Sequence, residues 1–285
     1  MSQIWFITGA SSGFGRDLAL LALDAGHKVI GTVRNASKSS DAVDAIKSKG
    51  GDILELDVTK ADTVAGVVEK ANALYGGIDI LVNNAGYSLL GAVEDMTDSE
   101  TKSQLETNFF GPLRLIQAFL PTLRSRPSAT IVNVSSVAGQ DAQPSCGLYA
   151  ASKFALEGLS EALSKEVAPF GIDVLIVEPG AFRTNFLSAV QKTETPLSEP
   201  YRDGIVDVVL KKFEAAQGKQ RGDPAKAVRK IFEVITGTGE AGHLKGKVLR
   251  LPLGADAVER IETKTKRVLA DVEAARAVAL STDIV

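Results

Sequence analysis

Seven short apolar runs, IWFIT, KVIGTV, DILEL, IDILVN, ATIVNVS, IDVLIVE and KVLRL, recur along the chain with longer helical patterns between them. The runs are almost continuously apolar rather than alternating, as strands buried on both faces must be. Helical segments start near Gly13, Asp41, Ala61, Ser99, Tyr149 and Pro224. That rhythm predicts an α/β chain: a doubly wound parallel sheet of about seven strands, with helices on both faces. No internal repeat, low-complexity tract or linker divides residues 1–285, so one domain is expected.

Between Thr184 and Gly222 the rhythm breaks. This stretch is polar and carries Pro196 and Pro200. An excursion of that length in a fold with short connections reads as a substrate-binding lid. From about Asp256 onward the pattern is that of an amphipathic packing helix.

Composition excludes several classes of function. A net charge of −3 argues against nonspecific nucleic-acid binding. One cysteine, Cys146, rules out an intramolecular disulfide, and with His27 and His243 far apart it leaves no zinc cluster. The opening MSQIWFITGASSG has no basic leader and no apolar stretch reaches membrane-spanning length, so the cytoplasm is the expected location.

TGASSGFG, Thr8 to Gly15, follows the first strand and opens the first helix. Gly9, Gly13 and Gly15 permit a tight turn and let backbone approach a pyrophosphate, while the helix N-terminus offers free N–H groups. This is the phosphate-binding turn expected of a Rossmann-type domain. A carboxylate about 20 residues further on would bind the ribose 2′-hydroxyl of NAD. The second strand ends instead in GTVRNAS, with Arg34 and no acid before Asp41. A guanidinium there suits a 2′-phosphate, so NADP(H) is favoured over NAD(H).

YAASK, residues 149–153, places Tyr149 and Lys153 one helical turn apart and on one face. The plain alternative is a helix start with a solvated lysine. The chemical reading is a phenol whose pKa an ammonium lowers towards the working pH, able to donate or accept a proton.

Taken with NNAG (83–86), IVNVSS (131–136) and EPGAFRT (178–184), these motifs stand in the order found in short-chain dehydrogenases/reductases, which the chain resembles from its first strand to at least Thr184. The glycine spacing resembles the compact branch, and GTVRN is similar to the 17β-hydroxysteroid and retinol dehydrogenase-like group. The resemblance implies catalytic roles for Asn108, Ser136, Tyr149 and Lys153. Tyr149 would be the general acid/base, Lys153 its partner and the holder of the nicotinamide ribose. Ser136 would bond the substrate oxygen, and Asn108 would belong to a proton relay. For the cofactor it implies Gly9, Ser11, Ser12, Gly13, Phe14, Gly15, Arg34, Asp57, Val58, Asn84, Ala85, Gly86, Pro179, Gly180 and Thr184, together with Tyr149 and Lys153. Asn83, at the strand end beside Gly86, is implied near it.

The implied activity is hydride transfer between NADP(H) and a carbonyl or alcohol, in a homodimer or homotetramer using the helices near Ser99 and Tyr149. A non-catalytic dinucleotide sensor, or a scaffold with a vestigial site, is the alternative on the same fold. Phe182, Phe186, Leu187 and Tyr201 near the lid, with Leu89, Leu90 and Cys146, suggest a small apolar substrate. Pro112, four residues after Asn108, lacks the N–H that would bond the Asn108 carbonyl, so a bend and a freed acceptor are predicted there.

Overall fold

The computed structural model describes residues 2–184, 190–216 and 218–284. The main sheet has seven parallel strands. They are β1 (Ile4–Ile7), β2 (Lys28–Val33), β3 (Asp52–Glu55), β4 (Ile80–Asn83), β6 (Ala129–Val134), β7 (Ile172–Pro179) and β9 (Arg250–Leu253). Their order is β3-β2-β1-β4-β6-β7-β9. The apolar runs become these strands because alternate residues serve opposite layers. Phe6, Ile30, Leu81, Ile131 and Val174 face one core. Trp5, Ile7, Val29, Ile80, Val82, Val132 and Val177 face the other.

The first core is closed by α3 (Ala61–Tyr75), α5 (Gly111–Leu123) and α6 (Gly147–Val167), through Val64, Val68, Leu115, Phe119 and Leu163. The second is closed by α1 (Gly13–Asp24), α2 (Ser40–Ser48) and α8 (Pro224–Thr236), through Leu18, Ala22, Ile46, Val228 and Ile231. Local signals set several helix ends. Thr97 and Glu100 form a reciprocal capping box at the start of α4 (Asp98–Leu105), and Asp223 caps α8 ahead of Pro224.

The long helix expected from near Ser99, bent at Pro112, is divided into α4, a turn over 106–110 and α5, and the sequence reading did not include α7 (Ile205–Ala216) or the two-stranded sheet of β5 (Leu89–Leu90) and β8 (Gln191–Lys192). The bend expected at Pro112 takes a specific form: residues Glu106–Phe110 make a π-helical turn, and the Gly111 N–H bonds the Glu106 carbonyl five residues back. The tail is a helix, α9 (Ala255–Leu280), as its pattern implied, but not the packing helix expected: Ala257 is its one buried residue, and Val268, Leu269, Val272, Val278 and Leu280 are exposed.

Strand order reverses direction between β1 and β4, which opens a crevice at their carboxyl ends. Thr8 lies on its floor. Its N–H bonds the Val82 carbonyl at 3.0 Å, and its hydroxyl accepts from the N–H groups of Asn84 and Ala85, both at 3.0 Å.

Candidate active site

The glycine turn crosses the mouth of that crevice. Gly9 and Gly13 adopt φ of +67° and +53°, which glycine takes without penalty. Gly15 is required for a different reason: a Cβ there would meet Asn84 Nδ2 at 2.4 Å and the Gly9 carbonyl at 2.5 Å. Asn84 Nδ2 donates to the Thr8 and Gly9 carbonyls at 2.9 and 3.2 Å, tying the turn to the end of β4. Ser11 and Ser12 are exposed, and Ser12 begins α1 without spending its hydroxyl as a cap. No acidic residue lies in the first turn of α1. The positive end of the helix thus meets no carboxylate of its own, which fits an anionic pyrophosphate. Phe14 packs edge-on against Phe182, 5.4 Å between ring centres. Thr184 faces Gly13, with 3.7 Å from its Cβ to the place a Gly13 Cβ would occupy.

Arg34 is exposed at the end of β2, close enough to Asp57 for its charge to act there. Burial raises the Asp57 carboxyl, but bonds from Thr59 at 3.0 and 2.7 Å, with Arg34 and Lys60, hold it below the usual carboxylate range. Glu55, the acid at the end of β3, accepts from the Ala36 N–H at 2.7 Å. Val58 is buried against Gly111, where a Cβ would meet its side chain at 2.9 Å. Pro179 ends β7, and Gly180 sits under the α9 residue Asp256, whose Oδ2 accepts from the Ala181 N–H at 2.8 Å. A Cβ on Gly180 would lie 2.3 Å from Asp256 Oδ1.

Tyr149, Ser136 and Lys153 come together at the ends of β6 and α6. All of α6's catalytic candidates lie on its buried face. The Ser136 hydroxyl bonds the Tyr149 phenol and accepts from the Ala138 N–H at 3.1 Å. Lys153 Nζ donates to the Val134 carbonyl at 2.8 Å and stands 5.9 Å from the centre of the Tyr149 ring. The expected lowering of the phenol pKa by Lys153 is corrected here. Burial pushes Tyr149 up to about 12, with the Ser136 bond opposing it. Burial lowers the Lys153 ammonium to about 8, opposed by the charge of Glu157. Desolvation outweighs the helical neighbour.

Asn108, on the π-helical turn, is buried, and its side chain is fully engaged. Its Oδ1 accepts from the Tyr87 N–H at 3.2 Å, and its Nδ2 donates to the Tyr87 carbonyl and the Ser152 hydroxyl, both at 3.0 Å. The amide therefore joins three segments: its own turn, the loop after β4 and α6. Gly86 completes the contact, since a Cβ there would lie 3.1 Å from Asn108 Oδ1 and 3.6 Å from Lys153 Nζ.

Other expectations fall differently. Asn83 points away from the crevice and bonds buried Asn133 at 2.8 Å, which in turn bonds Ser160 at 2.8 Å. Leu89 and Leu90 are buried in β5, and Cys146 is buried at the start of α6. Tyr201 bonds Glu94 at 2.7 Å. Phe186 and Leu187 lie outside the described residues. Sequence reasoning missed Asp256, Gln140 and Ser152. Only Ser152 left a signal, as the polar residue inside YAASK.

The crevice and its polar cluster define a dinucleotide-dependent oxidoreductase of the Rossmann type. The family model for short chain dehydrogenase matches residues 3–195, and the chain belongs to the short-chain dehydrogenase/reductase family. It is 47% identical over 222 residues to oxidoreductase claN of Passalora fulva, covering 78% of this chain and 100% of that one. It is 36% identical over 242 residues to retinol dehydrogenase 8 of Bos taurus, covering 79% and 76%. A crystal structure of a short-chain dehydrogenase from Streptomyces avermitilis superposes with a TM-score of 0.88 at 39% identity, covering 100% of both chains.

Proposed function

We propose that this chain is an NADP(H)-dependent oxidoreductase interconverting an apolar carbonyl compound and its alcohol. The observation that carries the reading is the hydrogen bond between half-buried Ser136 and buried Tyr149, beside buried Lys153, at the strand-end crevice next to the glycine turn. The dinucleotide, when bound, supplies the hydride acceptor or donor. The residues that would hold it are the Gly9–Gly15 turn with Ser11, Ser12 and Phe14, then Arg34, Asp57, Val58, Asn84, Ala85, Gly86, Pro179, Gly180 and Thr184.

Ser136 and Tyr149 would both reach the substrate oxygen. With its pKa held near 12, the Tyr149 phenol keeps its proton across the neutral range and is set to donate it to a developing alkoxide. Lys153, charged below about pH 8, compensates the phenolate left behind. Asn108 holds the helix and the loop after β4 in register, and its main-chain carbonyl, opposite Pro112, is the acceptor we assign to the relay.

NADP(H) is favoured because Arg34 is exposed at the end of β2 while Glu55 is engaged by backbone. We further propose that residues 184–222 act as a substrate cover. Its two ends are pinned together: Arg183 N–H bonds the Gly222 carbonyl at 3.0 Å and Gly222 N–H bonds the Ala181 carbonyl at 3.2 Å. These bonds close the neck of a segment that carries β8 and α7. An apolar substrate is consistent with the retinol dehydrogenase relative. Phe110 and Phe154, 38% and 43% exposed on neighbouring helical segments, support a homodimer or homotetramer.

The test is a panel of apolar aldehydes and ketones with NADPH and NADH, followed at the reduced-nicotinamide absorbance. NADPH-dependent turnover is expected; no absorbance change with any member of the panel rejects the reading.

A further inference from the structure

A second set of buried polar groups lies behind Lys153, and the reaction as proposed gives it no part. Glu157, one turn after Lys153 on α6, is 4% exposed, and Glu178 on β7 is 1% exposed. Gln140 donates to both, from Nε2 to Glu157 Oε2 at 3.2 Å and to Glu178 Oε1 at 2.9 Å. It directly follows the short turn Val137–Gly139 that Ser136 caps. Arg250 on β9 lies 3.0 Å from Glu157 Oε2 and 3.4 Å from Glu178 Oε1, and reaches Glu161 at 2.9 Å.

One guanidinium therefore serves three carboxyl groups, two of them removed from water. Two full negative charges side by side in such a site repel strongly. Glu157 Oε2 and Glu178 Oε1 share the same two donors, Gln140 Nε2 and Arg250 Nε, which holds the two carboxyl groups close together. Carboxylates only accept, so a proton on one of them is what would relieve the repulsion and let the pair bond directly. Two further buried oxygens, Glu157 Oε1 and Ser135 Oγ, have no hydrogen-bond partner among the described residues. Both face Gly139, at 3.2 and 2.7 Å from where its Cβ would stand, so polar capacity converges on this spot.

We propose that Glu157 and Glu178 form a proton-sharing carboxyl pair that positions the Lys153 ammonium and the Ser136 turn. The role rests on the oxidoreductase reading above, whereas the shared proton rests on the burial of the two carboxyl groups and their shared donors. Burial, then the charge of Glu157, pushes Glu178 up to about 7, so Glu178 holds the proton at mildly acid pH. The charge of Glu157 raises Lys153 against the effect of burial. The charged groups facing the pair are Lys153 and Glu161 from α6 and Arg250 from β9. Asp141, next to Gln140, is itself held by Arg260 of α9 at 2.9 Å.

The sign follows. Below about pH 7 Glu178 is protonated, and the alkaline limb is set by loss of the Lys153 proton. Glu157→Gln removes the charge that favours the ammonium, so the limb moves to lower pH, by on the order of one unit. A merely structural role would lower activity or stability at every pH and leave the limb in place.

Two measurements test this. Infrared spectra of the protein at pH 6 should show the C=O stretch of a protonated buried carboxylic acid, lost in Glu178→Gln and retained in Tyr149→Phe. The limb should be read both in kcat/KM and in the pH dependence of NADPH affinity, with Glu157→Asp keeping it near its original position. The band together with an acid-shifted limb in Glu157→Gln supports the pair. Absence of the band, or an unmoved limb in folded Glu157→Gln, overturns it. A chain with the band but no carbonyl turnover would refute the oxidoreductase reading and leave the carboxyl pair standing, with the limb read from NADPH affinity.

Discussion

Helices α6 and α7 are built in opposite ways. α6 buries a stripe that runs from Tyr149 and Lys153 through Leu156 and Ser160 to Leu163 and Val167. Described residues of α7 include no buried side chain, and Val208 is exposed. The segment around α7 is held by polar bonds to the 88–100 region. Gln191 N–H bonds the Ser88 carbonyl at 2.9 Å, Ser198 N–H bonds Asp95 at 3.0 Å, and Glu194 N–H bonds Glu100 at 2.7 Å. Apolar packing fixes a side chain in one place, whereas exposed hydrogen bonds exchange with water at little net cost. A proton donor belongs on the first kind of element and an adaptable cover on the second.

The largest effect should come from the stripe itself. Tyr149→Phe is expected to lower kcat by about 10²–10⁴-fold, the usual worth of a general acid, with NADPH affinity within a few-fold of the parent. Steady-state kinetics with a fluorescence titration measures both, and near-normal turnover would remove Tyr149 from its role.

Stability should separate the two helices' surroundings. Phe119→Ala empties a site packed against the tilted ring of Phe6, 4.8 Å between ring centres, and should cost about 3–5 kcal/mol by urea unfolding. Val208→Ala on α7 should stay within about 0.5 kcal/mol. Equal losses would mean that α7 is as firmly packed as the core.

Next in size is the cofactor ratio. Arg34→Asp should move kcat/KM towards NADH over NADPH by roughly ten- to a hundredfold, through repulsion of the 2′-phosphate. An unchanged ratio places recognition elsewhere.

The smallest change is expected at the proposed cover. Asp95→Ala removes the acceptor for Ser198 N–H and Oγ, so KM for the carbonyl should rise about threefold with kcat little altered, an effect of the size of one or two hydrogen bonds. Hydrogen exchange over 198–214 should quicken in parallel; identical exchange would show that Asp95 does not restrain the segment.

Much of the sheet could be read from sequence because a strand buried on both faces leaves little choice of residue. Glycines of the turn were legible for the same reason: at Gly15 a single methyl group collides with Asn84. What escaped depended on distant partners. α7 has too few buried residues to announce its place. Asp256 supports Gly180 from 76 positions away, and Gln140 joins two carboxyls that share no motif. The direction of the Tyr149 pKa was misjudged because a helical neighbour is visible in sequence and desolvation is not.

The π-helical turn at Glu106–Phe110 has a consequence for insertions and deletions. A wide turn accommodates one residue more than an α-turn, and each residue of an α-helix advances the face by about 100°. Upstream of the turn, Gln104 bonds the Leu89 N–H at 2.8 Å; downstream, Leu115 and Phe119 enter the core. A regular helix of the same length cannot aim both sets correctly. The turn thus acts as a phase adjuster between a polar half that faces the crevice and an apolar half that faces the sheet. Losing a single residue there would be a rotational error, throwing one half out of alignment however well the remaining side chains were chosen.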